Sequence, residues 1–382
     1  MEQLAPHEKV FVDREMLEDE NHGDLTCVEC HGGDPESRDF AQAHREVDKD
    51  PSYPAPGICS ECHEAEAEHY RTSLHHTLKP MKNRILARGN PDPAVQAKLE
   101  TAFNNHCGSC HSSCGQCHIS RPASVEGGLL SGHLILKRAP VKETCTACHG
   151  SRVGAEYFGQ GQGCQPDVHR QKKFMKCQKC HPAVEMHGDG KDHADRYGVE
   201  NGPACLDCHQ DIYGPKGENR TAHEQHRNKV ACQVCHSQPY NNCFGCHLRL
   251  TGEGRPYYEL KAHRVDFKIG LNPNPGPRRP ERFVTVRHVP IAPDSFREYA
   301  GGALTRFDRF PTWRTATAHN IRRTTEQNSD CNNCHGNKRL FLRASDVEPE
   351  TRRANEPVVV PLELIPARIQ NPGSVPKETR KK

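Results

Sequence analysis

The chain has 382 residues, with 52 Lys and Arg against 49 Asp and Glu, 34% hydrophobic residues, 29 prolines, 30 glycines and a single tryptophan, Trp313. A mean hydropathy of −0.86 is too polar for an ordinary apolar core of this size. No segment approaches the ~18 consecutive apolar residues of a membrane span, and the opening "MEQLAPHEKVFVDREMLEDE" lacks the basic-then-apolar pattern of an export leader.

Of the 21 cysteines, twenty fall into ten copies of Cys-x-x-Cys-His. The first region, 1–125, carries Cys27/Cys30/His31 and Cys59/Cys62/His63, then two fused copies, Cys107/Cys110/His111 and Cys114/Cys117/His118. Between them, "SECHEAEAEHYRTSLHHTL" (60–78) predicts a helix. "DPAVQAKLETAFNNH" (92–106) predicts another, with Asp92 as N-cap and Pro93 in the first turn. The second region, 126–250, holds five motifs: Cys145/Cys148/His149, Cys177/Cys180/His181, Cys205/Cys208/His209, Cys232/Cys235/His236 and Cys243/Cys246/His247. The third, 251–382, continues the motif-free stretch 248–330, in which "NPNPGPRRP" (272–280) reads as an irregular linker and "RFVTVRHV" (282–289) as a strand. Cys331/Cys334/His335 follows. A proline-punctuated tail is expected to lie extended over its own or a neighbouring subunit, with its last residues disordered.

Cys-x-x-Cys-His is the attachment motif of c-type haem. Two cysteines three apart reach the two vinyl groups of one porphyrin as thioethers, and the following histidine supplies the proximal nitrogen to iron. Zinc sites and disulfides also use paired cysteines, but neither needs a histidine after every pair. With 26 histidines in the chain, ten such successors do not arise by chance. Over residues 27–335 the chain therefore resembles multihaem, decahaem c-type cytochromes.

That resemblance implies about ten covalently attached haem c groups that themselves form the core. The expected fold is mainly α, with much irregular coil and few short strands. His111 and Cys114 can be at most ~10 Å apart along an extended chain, so the fused motifs would hold two porphyrins nearly in contact. Haem propionates would outweigh the formal charge of +3, so the basic runs at 170–176 and 277–282 read as charge balance and surface, with no nucleic-acid partner implied. Because haem is attached to such motifs outside the cytoplasmic membrane, the protein is expected to be exported, periplasmic or extracellular, with its leader already removed.

Sixteen histidines lie outside the motifs, and ten would give every iron a second imidazole. Tyr70, Ser73 and His75 resemble a Y-x-x-S-x-H element of multihaem cytochromes, in which the histidine serves a different haem from the one at the helix start. His76 beside it resembles the double histidines of low-potential tetrahaem cytochromes. His133, His169, His193 and His226 precede the next motif by 12, 8, 12 and 6 residues, and His187 follows His181. His263, His288 and His319 suggest that the motif-free stretch folds back to ligate haems. His22, His44 and His106 complete the distal candidates, and His7, His69 and His223 read as spares. Met175 and Met186 are minor alternatives. Cys164 is left over, as a free thiol, an intersubunit disulfide partner or a haem ligand.

The leading expectation is electron transfer through closely spaced bis-histidine haems, in anaerobic respiration or extracellular electron transfer. Redox partner proteins or a terminal acceptor would be its partners, and self-association into a filament is a variant. The alternative is a multihaem oxidoreductase acting on a small nitrogen or sulfur compound at one open-face haem. The Arg- and Tyr-rich stretch would then line a pocket with Arg278, Tyr257 or His288. Against it, no lysine-terminated motif occurs.

Overall fold

The computed structural model describes residues 4–370 apart from Val10, Asp13, 109–111, Gln162, Asn201 and 262–264. The chain packs as two units interleaved in sequence. Residues 1–83, 103–151 and 176–202 form the first, and residues 84–102, 152–175 and 203–382 form the second. Short helices and irregular coil dominate, as expected. Among the described residues no helix is long and apolar enough to cross a membrane.

The first unit holds six motifs and almost no apolar interior. Its buried apolar side chains, among the described residues, are Ala55, Pro56, Ala67, Tyr70, Phe103 and Pro122. Polar contacts join its segments instead. The Tyr70 hydroxyl donates to the Ser112 carbonyl at 2.8 Å, and the Ser52 hydroxyl bridges Ser113 at 2.8 Å and the Gly115 amide at 3.0 Å. The helix expected over 60–78 is broken into a 3-10 turn Gly57–Glu61 and two helices, Glu64–Tyr70 and Leu74–Thr77. Ser73 makes the second break, because its backbone is extended and its hydroxyl caps a new turn by accepting from the His76 amide at 3.1 Å. Helix Pro93–Cys107 starts as predicted, with the Asp92 carboxylate accepting from the Ala94 and Val95 amides.

The second unit departs from the expectation that cofactors alone would form the interior. Seven strands lie there: β1 Tyr240–Asn241, β2 Gly245–Leu250, β3 Pro256–Lys261, β4 Val265–Asp266, β5 Lys268–Leu271, β6 Phe283–His288 and β7 Trp313–Thr315. They pair antiparallel as β1–β4, β2–β3 and β5–β6–β7. Around the three-stranded sheet, Ile269, Val286, Trp313, Leu342, Val358 and Val360 are fully buried. A second cluster sets Leu99 and Ala102, three apart on one helix face, against Phe296, Ala303 and Leu304. The motif-free stretch thus makes an ordinary core. Strand 282–289 is present as β6, but 272–280 is no linker. It closes the β5–β6 hairpin, with the Asn272 side chain donating to the Arg279 and Glu281 carbonyls at 3.0 Å each. The tail lies on its own unit, where Val360 donates to Leu342 at 2.8 Å and Gly336 to Pro366 at 2.7 Å. Its expected disordered end falls outside the described residues.

Trp313 is 1% exposed and Phe174 is 82% exposed. Trp313→Ala is therefore expected to destabilise the second unit by about 3–5 kcal/mol, and Phe174→Ala by less than about 0.5 kcal/mol. Denaturant unfolding followed by circular dichroism measures both.

Candidate metal centres

Eight of the ten motifs sit on helical or 3-10 turns: Cys27–His31, Gly57–Glu61, Gly115–His118, Thr146–His149, Cys177–Cys180, Cys205–Asp207, Cys232–His236 and Cys331–Cys334. The spacing makes this geometry useful. Positions i, i+3 and i+4 share one face of a helical turn, so both sulfurs and the imidazole point the same way. The histidine amide bonds the first cysteine's carbonyl in several motifs, as in His63 to Cys59 at 2.9 Å and His335 to Cys331 at 2.8 Å. Local capping starts several turns. The Glu29 carboxylate accepts from the Thr26 amide and hydroxyl, and Asp330 accepts from the Asn332 amide.

Among the described residues, seven motif histidines each face one histidine from elsewhere in the chain. In the first unit the pairs are His31 with His133, His63 with His22, His118 with His187 and His149 with His75, at ring-centre distances of 6.0, 6.3, 6.2 and 6.3 Å. In the second they are His209 with His169, His236 with His223 and His335 with His226, at 5.9, 6.3 and 6.1 Å. None of the seven joins two motif histidines. Two metal–nitrogen bonds of ~2 Å, with each nitrogen ~1.2 Å from its ring centre, predict about 6.3 Å between two imidazoles sharing one metal. These residues fit haem iron. A porphyrin brings four equatorial nitrogens, so one imidazole on each face completes the coordination. Among the described residues no three His, Cys, Asp or Glu side chains converge in the way a bare ion needs.

The second ring nitrogen is anchored in several of these histidines and in the motif histidine His181. Nδ1 of His31, His118, His223, His226 and His236 meets the carbonyls of Asp48, Leu136, Glu218, Ala222 and Arg322 at 2.6–3.1 Å. Nδ1 of His22, His169 and His181 meets the carboxylates of Asp19, Asp167 and Glu185 instead, at 3.2, 2.9 and 2.9 Å. Such bonds fix the tautomer and leave Nε2 as the ligating atom. Burial lowers the pKa of His75 to about 4 and also lowers those of His187 and His236, which keeps their lone pairs available. The hydrogen bond to Asp167 raises that of His169.

Sulfur atoms of different motifs also meet. Cys59 and Cys114, Cys145 and Cys177, and Cys205 and Cys232 lie near enough for each thiol to perturb the other. Cys30 is close enough to Cys59 to interact electrostatically, as are Cys117 with Cys145 and Cys235 with Cys334.

Several motif sulfurs lie at the surface of their unit. Cys62, Cys148 and Cys208, each the second cysteine of its motif, are exposed thiols, as are Cys27, Cys180 and Cys246. The physical reason is that their motif turns are only three to five residues long and lie at the surface of their unit, so the polypeptide covers one side of the turn at most. Cys148 lies 3.4 Å from the Ser124 hydroxyl there.

The remaining histidine candidates stand elsewhere. His44 packs on Phe40 at 4.2 Å with Nδ1 on the Phe40 carbonyl, and His76 lies 5.6 Å from the Tyr70 ring. His106 is buried. Nε2 of His193 meets the Asp189 carboxylate at 2.9 Å. His288 stacks on Trp313 at 5.0 Å, and Nδ1 of His319 meets the Thr317 carbonyl at 2.8 Å. Cys110, His111 and His263 lie outside the described residues. Of the expected spares, His7 and His69 are exposed, but His223 is paired with His236. The available signal was its spacing from His226, three residues along one helix, Arg220–His226, which lets neighbouring side chains serve two motifs. Cys164 lies 3.4 Å from the Gln165 carbonyl, and burial pushes its thiol up.

The ninth motif is different. Its second half runs into β2, paired residue by residue with β3, so Cys246 and His247 project to opposite faces. Cys243 is buried and accepts a hydrogen bond from Arg152, while His247 is buried 3.7 Å from Asp294. The single-face presentation of the other motifs is missing there, and this site does not fit haem as the strand stands.

No family model matches the chain, and neither a curated protein nor a solved structure is similar to it.

Proposed function

We propose that this protein carries electrons through a series of covalently attached haem c groups, most of them held between two histidines. The single observation that carries the reading is the set of seven motif histidines, each facing one non-motif histidine across 5.9–6.3 Å. Bound haem c supplies a one-electron iron couple. The motif cysteines would tether it, the paired imidazoles would ligate its iron, and the Nδ1 acceptors would hold those rings in place. With both faces occupied, no coordination site is left for a substrate.

The sulfur contacts support a relay that follows chain order within each unit, without the third motif, part of which lies outside the described residues, and without the ninth. A thioether sulfur is bonded to the porphyrin periphery, so motifs with neighbouring sulfurs would hold porphyrin edges close together. In the first unit this gives first, second, fourth, fifth, sixth. In the second it gives seventh, eighth, tenth. Under this reading the protein is exported, since haem is attached to such motifs outside the cytoplasm. Its partners are a redox donor and an acceptor.

Two measurements test the reading. Native ferric protein should be almost wholly low-spin, and His75→Ala should add one high-spin iron that binds carbon monoxide when reduced, whereas His69→Ala should not. Carbon monoxide binding by the unsubstituted protein would favour the oxidoreductase reading instead. The ring planes also differ between pairs, 85° and 81° for His75/His149 and His226/His335 but 21° and 28° for His223/His236 and His22/His63. Perpendicular imidazoles leave two iron d orbitals nearly degenerate and parallel ones split them. Paramagnetic resonance should therefore resolve a strongly anisotropic and a rhombic class of low-spin iron. A spectrum without covalent haem, or one dominated by high-spin iron, would end the proposal.

A further inference from the structure

The Nδ1 acceptors of the paired histidines are of two chemical kinds, and in the second unit they divide along the relay. His169, facing the seventh motif, gives its Nδ1 hydrogen to the Asp167 carboxylate at 2.9 Å. At the eighth and tenth motifs the acceptors are neutral carbonyls, of Glu218 and Arg322 for His223 and His236, and of Ala222 for His226. Asp167 is itself 4% exposed and held in place, with one oxygen accepting from the His169 amide at 2.8 Å and the other from the Ile321 amide at 2.9 Å. In the first unit Asp19 takes the Nδ1 of the paired His22 at 3.2 Å, and Glu185 takes that of the motif histidine His181 itself at 2.9 Å.

We propose that Asp167 is a positioning residue that lowers the reduction potential at the seventh motif, giving electron flow in the second unit a direction from the seventh through the eighth to the tenth motif. The inference rests on the relay reading above. A carboxylate that takes the Nδ1 hydrogen gives the imidazole more anionic character and stronger donation to iron, which favours the ferric state. Its charge, buried near the iron, acts in the same sense. A carbonyl provides the hydrogen bond without the charge. Each hop oxidises one iron and reduces the next, so the lowest-potential site is the donor. Glu185 does the same for the sixth motif.

The test is a spectroelectrochemical titration of the haem-loaded full chain, with Asp167→Asn and Glu185→Gln compared with the unsubstituted protein. Each variant keeps an oxygen acceptor for Nδ1 and removes the charge. In each, one component of the titration is expected to rise by at least tenfold in its reduction constant, about 59 mV for one electron, while the irons stay low-spin. Asp167→Asn also loses the bond to the Ile321 amide, so if that variant fails to fold or gains high-spin iron, Glu185→Gln decides. Components that stay in place in the well-folded variants overturn the inference and leave the relay reading standing. Absence of covalent haem in the unsubstituted protein would instead overturn the relay reading itself.

Discussion

Everything distinctive in this structure depends on one spacing, about 6 Å between two imidazole rings that face each other from different parts of the chain. A helical turn at the motif fixes one ring and both sulfurs on a single face. The opposing ring must come from elsewhere, because the motif turn is too short to supply both. The pairs accordingly join segments far apart in sequence, such as His31 with His133 and His226 with His335. Metal bonds across such pairs would close long loops, where cross-links limit the unfolded chain most.

The two units solve the problem of stability differently. Helices of four or five residues are not stable by themselves, and the first unit has few apolar side chains to pack them with. Its order therefore has to come from serine and tyrosine hydrogen bonds together with whatever occupies the imidazole pairs, so its stability should depend on occupancy. The second unit has fewer motifs and an apolar core built on β5, β6 and β7. It provides a framework on which helix Arg220–His226 can direct two histidines toward two different motifs.

Under the relay reading, the acceptors behind the imidazoles matter as much as the imidazoles. The same ring with a carbonyl at Nδ1 and with a carboxylate at Nδ1 is a different ligand. Neighbouring sulfurs decide which sites exchange electrons, and the Nδ1 acceptors decide which of them holds an electron more tightly. Both sets of contacts are made by residues whose placement the motif itself does not dictate.

The sequence alone determined the ten Cys-x-x-Cys-His motifs, the surplus of histidines, helix Pro93–Cys107 and strand β6, because each is a local pattern of spacing and polarity. It also pointed to His75, His133, His169, His187, His226 and His22, which face motif histidines here. It could not say which motif each one faces. His133, His169 and His226 each precede one motif in the chain and face the histidine of another, since the pairing depends on how separate segments pack. Nor could identical motif letters say which sulfurs the chain would enclose, as with buried Cys243 against exposed Cys62, Cys148 and Cys208. The value of His223, the capping break at Ser73, the hairpin at 272–280 and the strand conformation of the ninth motif were likewise decided by tertiary structure. Local propensity in these stretches is weak, and long-range hydrogen bonding and burial overrode it.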